Sequence, residues 1–200
     1  MQTKISGILL SIVFISLVFS QIHCTQKQED LTESKESHIE RGKYLVNLGG
    51  CNDCHSPKIM TPNGPVPDTT RLLSGSAGPI TSTNFDPAIV AHGKWIVGRG
   101  DFTAIMGPWG ISYPANLTPD KETGTGNWTV ERFIKIIRTG KHLGGGRPIL
   151  PPMPWENFAL LKDQDLKDIF AYLQSLKPIK NKVPDPTTPD ELAKLMAKKK

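Results

Sequence analysis

Cys51-Asn52-Asp53-Cys54-His55 is the stretch on which the reading of this chain turns. Its pattern is C-x-x-C-H. Two thiols three positions apart can each add to one vinyl group of a haem as a thioether, and the next residue then places an imidazole beneath the iron as proximal ligand. Cys51 and Cys54 are therefore candidate attachment points, and His55 is a candidate iron ligand. Other chemistries also use paired cysteines. A zinc site needs two more ligands at matching spacing, but there is no second cysteine pair, and His92 and His142 are isolated in sequence. A thioredoxin-like pair wants a strand before it and a helix after it, whereas Pro57 and a proline-rich stretch follow here. Haem attachment is the reading these residues favour. The chain has one such motif, so one covalently attached haem c is expected.

Working outward toward the N-terminus, Ser37 is placed to cap a helix over about 38–48. Ile39, Tyr44, Leu45 and Leu48 fall on one face of it. Gly49 and Gly50 end the helix and let the chain turn closely into the motif. Further upstream the composition changes. Met1 to Lys4 is a short positive start, and residues 5–19 are an almost unbroken apolar run. That is the signature of an export signal over residues 1–23; an uncleaved anchor over 5–22 is the alternative. Cys24 follows the run and is a candidate lipidation site of the bacterial lipoprotein kind. Gln21, Ile22 and His23 fit the usual lipobox poorly, so cleavage after Ser20 stands beside it. Residues 24–36 are polar and charged and read as a flexible tether. The expected location is the periplasm or cell envelope, with membrane association through a lipid or an anchor.

A proximal histidine leaves one iron position open. Methionine is the usual distal ligand of electron carriers and raises the reduction potential. Of the five methionines, Met1 leaves with the signal, Met60 is too close to His55 to reach around the ring, and Met196 lies in the tail. Met153, in Leu150-Pro151-Pro152-Met153-Pro154-Trp155, is the favoured ligand, because prolines stiffen its loop and reduce the entropy lost on binding. Met106 is the rival, with packing in the core as its plainer reading. His142, His92 and an open site complete the alternatives.

Haem propionates need donors where they are partly buried. Arg147 is the strongest candidate, because a guanidinium pairs well with a carboxylate. Asn116, Tyr113, Trp109 and Trp128 are the others, each with turn hydrogen bonding or core packing as an equal alternative. Asn116-Leu117-Thr118 and Asn127-Trp128-Thr129 match glycosylation sequons and read as turns here.

The rest of the chain supplies a frame. Glycine and proline number 18 and 17, too many for long regular elements throughout. Residues 56–128 form a long loop-rich section with a short hairpin expected at 94–97 and 102–106, turning through 98–101. Two helices follow. Val130, Phe133, Ile134 and Ile137 mark the first, which Gly140 stops. Leu166, Ile169, Phe170 and Leu173 mark the second, over 163–175, and Pro178 prevents its continuation. Residues 182–200 form a basic tail. A Thr188-to-Glu191 capping box there could start a short helix over 190–197, but a solvated tail is the favoured reading. The formal net charge is +5, much of it from Lys198, Lys199 and Lys200. The body is thus near neutral, which argues against nucleic acid as a partner.

Together these pieces resemble the class I c-type cytochromes. In particular, GPWGISYPANLTPDKETGTGNW, FIKIIRTGKHLGGGRPILPPMPW, LKDQDLKDIFAYLQSLKP and NKVPDP are similar to the cytochrome c domains that serve bacterial alcohol, gluconate and related dehydrogenases. The resemblance implies a mainly α class I cytochrome c fold over residues 37–181, with a long loop and short β-hairpin inserted between the haem motif and the later helices. It implies a distal methionine in a proline-flanked loop before the last helix. It also implies that the first and last helices cross beside the haem, with Gly42, Tyr44 and Tyr172 at the contact. The family usually has Ser or Thr where Lys162 stands, which would shift that helix cap to Asp163. Several such domains often occur in tandem in the family, whereas this chain has one motif. The implied function is an electron carrier, not an enzyme: an exported monohaem cytochrome passing single electrons between redox proteins such as a dehydrogenase, an oxidase or another cytochrome. An electron-accepting subunit of a membrane-associated dehydrogenase is the alternative. A haem catalyst with an exchangeable distal site and a structural lipoprotein are more distant ones.

Overall fold

The computed structural model describes residues 34–80 and 95–197. The expected export signal, Cys24, most of the expected tether and His92 lie outside the described residues.

Helix α1 runs Lys35–Leu48. Its cap is Ser34 rather than Ser37: the Ser34 hydroxyl accepts from the Ser37 amide at 3.2 Å. The last residues of the expected tether are therefore already helical. The buried face of α1 is Gly42, Leu45 and Val46, while Tyr44 and Leu48 are exposed. Tyr44 is thus not at the helix crossing; Arg41 lies over its ring, 5.5 Å from the centroid. The crossing depends on Gly42. A Cβ there would stand 1.9 Å from the Asp168 carbonyl oxygen and 2.9 Å from the Tyr172 Cβ.

Helix α2, Cys51–His55, follows after Gly50, whose φ of +63° suits glycine. A hairpin comes next, β1 (Lys58–Thr61) against β2 (Gly64–Pro67), with Ile59 opposite Val66. This hairpin replaces the loop expected after the motif; Pro62-Asn63-Gly64 has the turn chemistry for it. A second sheet holds β3 (Val97–Gly98), β4 (Ile105–Gly107) and β5 (Gly110–Ser112), antiparallel throughout. Its strands are shorter than the 94–97 and 102–106 expected, and β5 is an addition.

Helix α3, Val130–Thr139, is capped by Thr129, which accepts from the Arg132 amide at 3.2 Å. It ends at Gly140 with φ +61°, where the Trp155 ring covers the backbone so closely that a Cβ would meet it at 2.4 Å. The one-turn helix α4, Trp155–Phe158, leads to α5, Asp163–Ser175. The cap of α5 stays at Lys162, with no side-chain hydrogen bond, and does not shift to Asp163. Asp163 instead accepts from Arg138 at 2.6 Å, and Arg138 also donates to the carbonyls of Ala159 and Leu161. One guanidinium thereby ties α3 to the start of α5.

Helices α1, α3 and α5 enclose the main core of Leu45, Val46, Leu73, Phe133, Ile137, Leu166, Ile169, Phe170 and Leu173. Phe133 and Phe170 stack at 5.4 Å. A smaller core joins Ala104, Met106 and Ile111 of the sheet region to Leu192. Leu192 belongs to helix α6, Pro189–Ala197. The solvated tail is therefore corrected. Asn181 bonds the carbonyls of Ser74 and Ser76, Thr187 exchanges backbone hydrogen bonds with Ile111, and Thr188 and Glu191 close the capping box. A helix this short is marginal alone, and burial of Leu192 supplies the tertiary contact it lacks.

Candidate haem-binding site

A cavity of about 500 Å³ opens among α1, α2, α3, α5, residues 112–117 and the loop before α4. Cys51, Cys54, His55 and Met153 all line it, together with apolar groups including Val46, Phe133, Ile137, Phe158, Ile169 and Leu173.

The His55 Nδ1 atom lies 2.8 Å from the carbonyl oxygen of Ala115. A carbonyl can only accept, so Nδ1 carries the proton and Nε2 keeps its lone pair, the tautomer that a metal ligand requires. Burial and the Lys58 ammonium hold the imidazole below its ordinary pKa, with the Ala115 bond opposing, so the ring is neutral at physiological pH. Burial pushes the Cys51 thiol up to about 11 and also raises Cys54, and the two are not joined in a disulfide. A redox pair of the thioredoxin kind has a depressed thiol pKa; this pair has the opposite. Among the described residues no cluster of three or more His, Cys, Asp and Glu side chains forms a metal cage, so the zinc reading gains no ligands.

The two candidate methionines separate cleanly. In β4 Ile105 lines the cavity, and Met106, one position along the strand, faces the small core with 1% exposure. Met153 sits in the cavity wall, in a loop held by the Ser112 hydroxyl on the Pro151 carbonyl at 2.7 Å. Met60 is exposed on β1, outside that wall. His142 lines the cavity, where burial and Arg147 lower its pKa against the pull of Asp185.

The candidate propionate donors divide. Arg147 lines the cavity and is exposed, and its guanidinium donates to the neighbouring Pro148 carbonyl at 3.2 Å. Tyr113 and Trp128 also line it, and the Tyr113 hydroxyl accepts from the Ile80 amide. Asn116 lies in the wall, but both its amide hydrogens are engaged, with Thr123 Oγ1 at 3.1 Å and the Ile179 carbonyl at 2.8 Å. Its oxygen accepts from Thr118, so it is a turn residue and a staple, not a free donor. Trp109 does not line the cavity. It folds over Gly107 at the β4–β5 turn, and its buried indole N–H has no partner among the described residues.

Two contributors escaped sequence analysis. Ala115 acts through its backbone, which no side-chain pattern reveals. Lys58 donates to the carbonyls of Asn52, Asp53 and Ser56 at the end of α2; a lysine just beyond a helix C-terminus is a recognisable signal for that role.

The fold and site define a helical domain whose apolar cavity presents two thiols, a correctly protonated imidazole and a thioether, the donor set that suits haem c. The family model for cytochrome c matches residues 39–177, and the chain belongs to the cytochrome c family. Membership implies covalently bound haem c and the role of electron carrier. The chain is 32% identical over 160 residues to the cytochrome c subunit of a quinone-dependent alcohol dehydrogenase from Gluconobacter oxydans, covering 78% of this chain and 26% of that protein. It is 38% identical over 151 residues to the fructose dehydrogenase cytochrome subunit of Gluconobacter japonicus, covering 75% and 23%. It is 28% identical over 141 residues to the gluconate 2-dehydrogenase cytochrome c subunit of Pantoea cypripedii, covering 70% and 23%. The chain thus spans about a quarter of the length of these relatives.

Proposed function

We propose that this protein is a single-haem, electron-accepting cytochrome of a dehydrogenase in the bacterial cell envelope. The observation that carries the reading is the convergence of Cys51, Cys54, His55 and Met153 on one apolar cavity. Cys51 and Cys54 would hold the haem as thioethers, and His55 Nε2 and Met153 Sδ would be the donors to its iron. The bound group supplies a one-electron ferric–ferrous couple. The Ala115 carbonyl fixes the His55 ring, and the Ser112 bond to Pro151 steadies the loop that carries Met153. The apolar walls would exclude water from the iron, and Arg147 would pair with a propionate.

A dehydrogenase is the favoured electron donor because the relatives are cytochrome subunits of alcohol, fructose and gluconate dehydrogenases. The apolar run at 5–19 and the covalent attachment motif support export, with Cys24 as the lipid anchor. The test is affinity purification of the tagged full chain from its native membranes. A dehydrogenase that copurifies and reduces the cytochrome with its substrate is expected. Recovery of the cytochrome alone, reducible only by other small cytochromes, would contradict the assignment.

A further inference from the structure

Lys58 lies beside the attachment motif, outside the cavity wall, and the motif leaves its role unexplained. Its Nζ lies 2.8 Å from the Asn52 carbonyl oxygen, 3.0 Å from that of Asp53 and 2.6 Å from that of Ser56. All three acceptors sit at or just past the end of α2, where a helix leaves its last carbonyls without internal partners. The neighbouring His55 carbonyl accepts from the Gly75 amide at 2.7 Å. Three carbonyl acceptors require three hydrogens on one nitrogen, which an ammonium has and a neutral amine lacks.

We propose that Lys58 is a positioning residue of the redox centre: it locks the end of the helix that carries Cys54 and His55, and its charge raises the potential at which the centre takes up an electron. Electron uptake adds negative charge to the cavity. A fixed cation beside the motif, half-buried and poorly screened, favours that reduced state. Its charge is held at the site by geometry, since the three carbonyls it binds belong to residues that flank Cys54 and His55 in the chain. Two carboxylates oppose it, those of Asp53 and Asp101. Asp101 is already paired with Arg99 at 2.8 Å, and Asp53 is exposed to screening water.

This inference rests on the reading of His55 as an axial ligand. The test is equilibrium redox titration of the haem-loaded full chain, followed by visible spectroscopy, for wild type, Lys58→Met, Lys58→Gln and Lys58→Arg. Both neutral variants should titrate at a lower potential than wild type, Lys58→Arg should match wild type, and all four should keep the sulfur-to-iron band. An unchanged potential in loaded Lys58→Met, or a fall in Lys58→Arg as large as in Lys58→Met, would overturn the proposal. If the neutral variants emerge without haem while Lys58→Arg loads, the charge is needed for the site to form, which upholds the positioning role. If Lys58→Arg also fails beside a loaded wild type, the charge is not what matters and the proposal falls. A wild type that binds no haem would instead remove the axial-ligand reading.

Discussion

Gly42 on α1 and Asp168 on α5 meet backbone to backbone: a Cβ at residue 42 would lie 1.9 Å from the Asp168 carbonyl oxygen. The two helices can approach only because residue 42 has no side chain. Gly42→Ala should therefore cost about 3 kcal/mol, the upper range for overpacking a close contact. Urea unfolding of the haem-loaded chain should show the midpoint falling with the slope unchanged. A loss below about 0.5 kcal/mol would mean that the helices part easily there.

Met153 and Met106 should fail in opposite ways. Met153→Ala should abolish the sulfur-to-iron band of the ferric protein with little change in folding. Met106→Ala should keep the band and lose about 2–5 kcal/mol of stability, because its side chain fills the small core. Spectra and unfolding curves of the two variants decide this. The reverse pattern would transfer the ligand role to Met106.

Leu192 joins α6 to the sheet, with 5% of its surface exposed. Leu192→Ala should cost about 2 kcal/mol or more. Amide hydrogen exchange should show α6 losing protection first, since a helix of this length depends on its contact. Unaltered protection in the variant would show that the contact does not hold the helix.

Asp101 provides an acid-range test. Burial alone would raise its pKa, but the Arg99 guanidinium and the hydrogen bonds from Thr103 together hold it below the ordinary 3.8. A carboxylate whose folded pKa is depressed contributes stability that is present above the unfolded value and lost as pH falls through the folded one. Asp101→Asn should therefore be least stable relative to wild type at neutral pH. The gap should narrow below about pH 4. Unfolding free energies measured across pH 7 to 3 test this, and a gap that widens toward acid would have the wrong sign.

What the sequence reveals divides along physical lines. Helices α3 and α5 are legible because their apolar spacing is regular and Gly140 marks the end of α3; the Thr129 cap emerges only in the structure. The motif of α2 is legible because its chemistry fixes its spacing. Of the crossing residues the family resemblance implies, Gly42 and Tyr172 are found at the contact, although Gly42 has no hydropathy signal, whereas Tyr44 is exposed. Asn116 looks like a free donor until Thr123 and Ile179, distant in sequence, take its hydrogens. The capping box of α6 is local and readable, but the burial of Leu192 against Met106 and Ile111 is a long-range event.

In the proposed function, one haem is joined to Cys51 and Cys54, with His55 as a donor to its iron. Intact mass spectrometry of the denatured protein, made in a host with haem-ligation machinery, tests it most directly. A polypeptide heavier by one haem is expected, with loss of that added mass when both Cys51 and Cys54 are changed to alanine. A protein carrying no added haem mass, or the same added mass in the double variant, would contradict it.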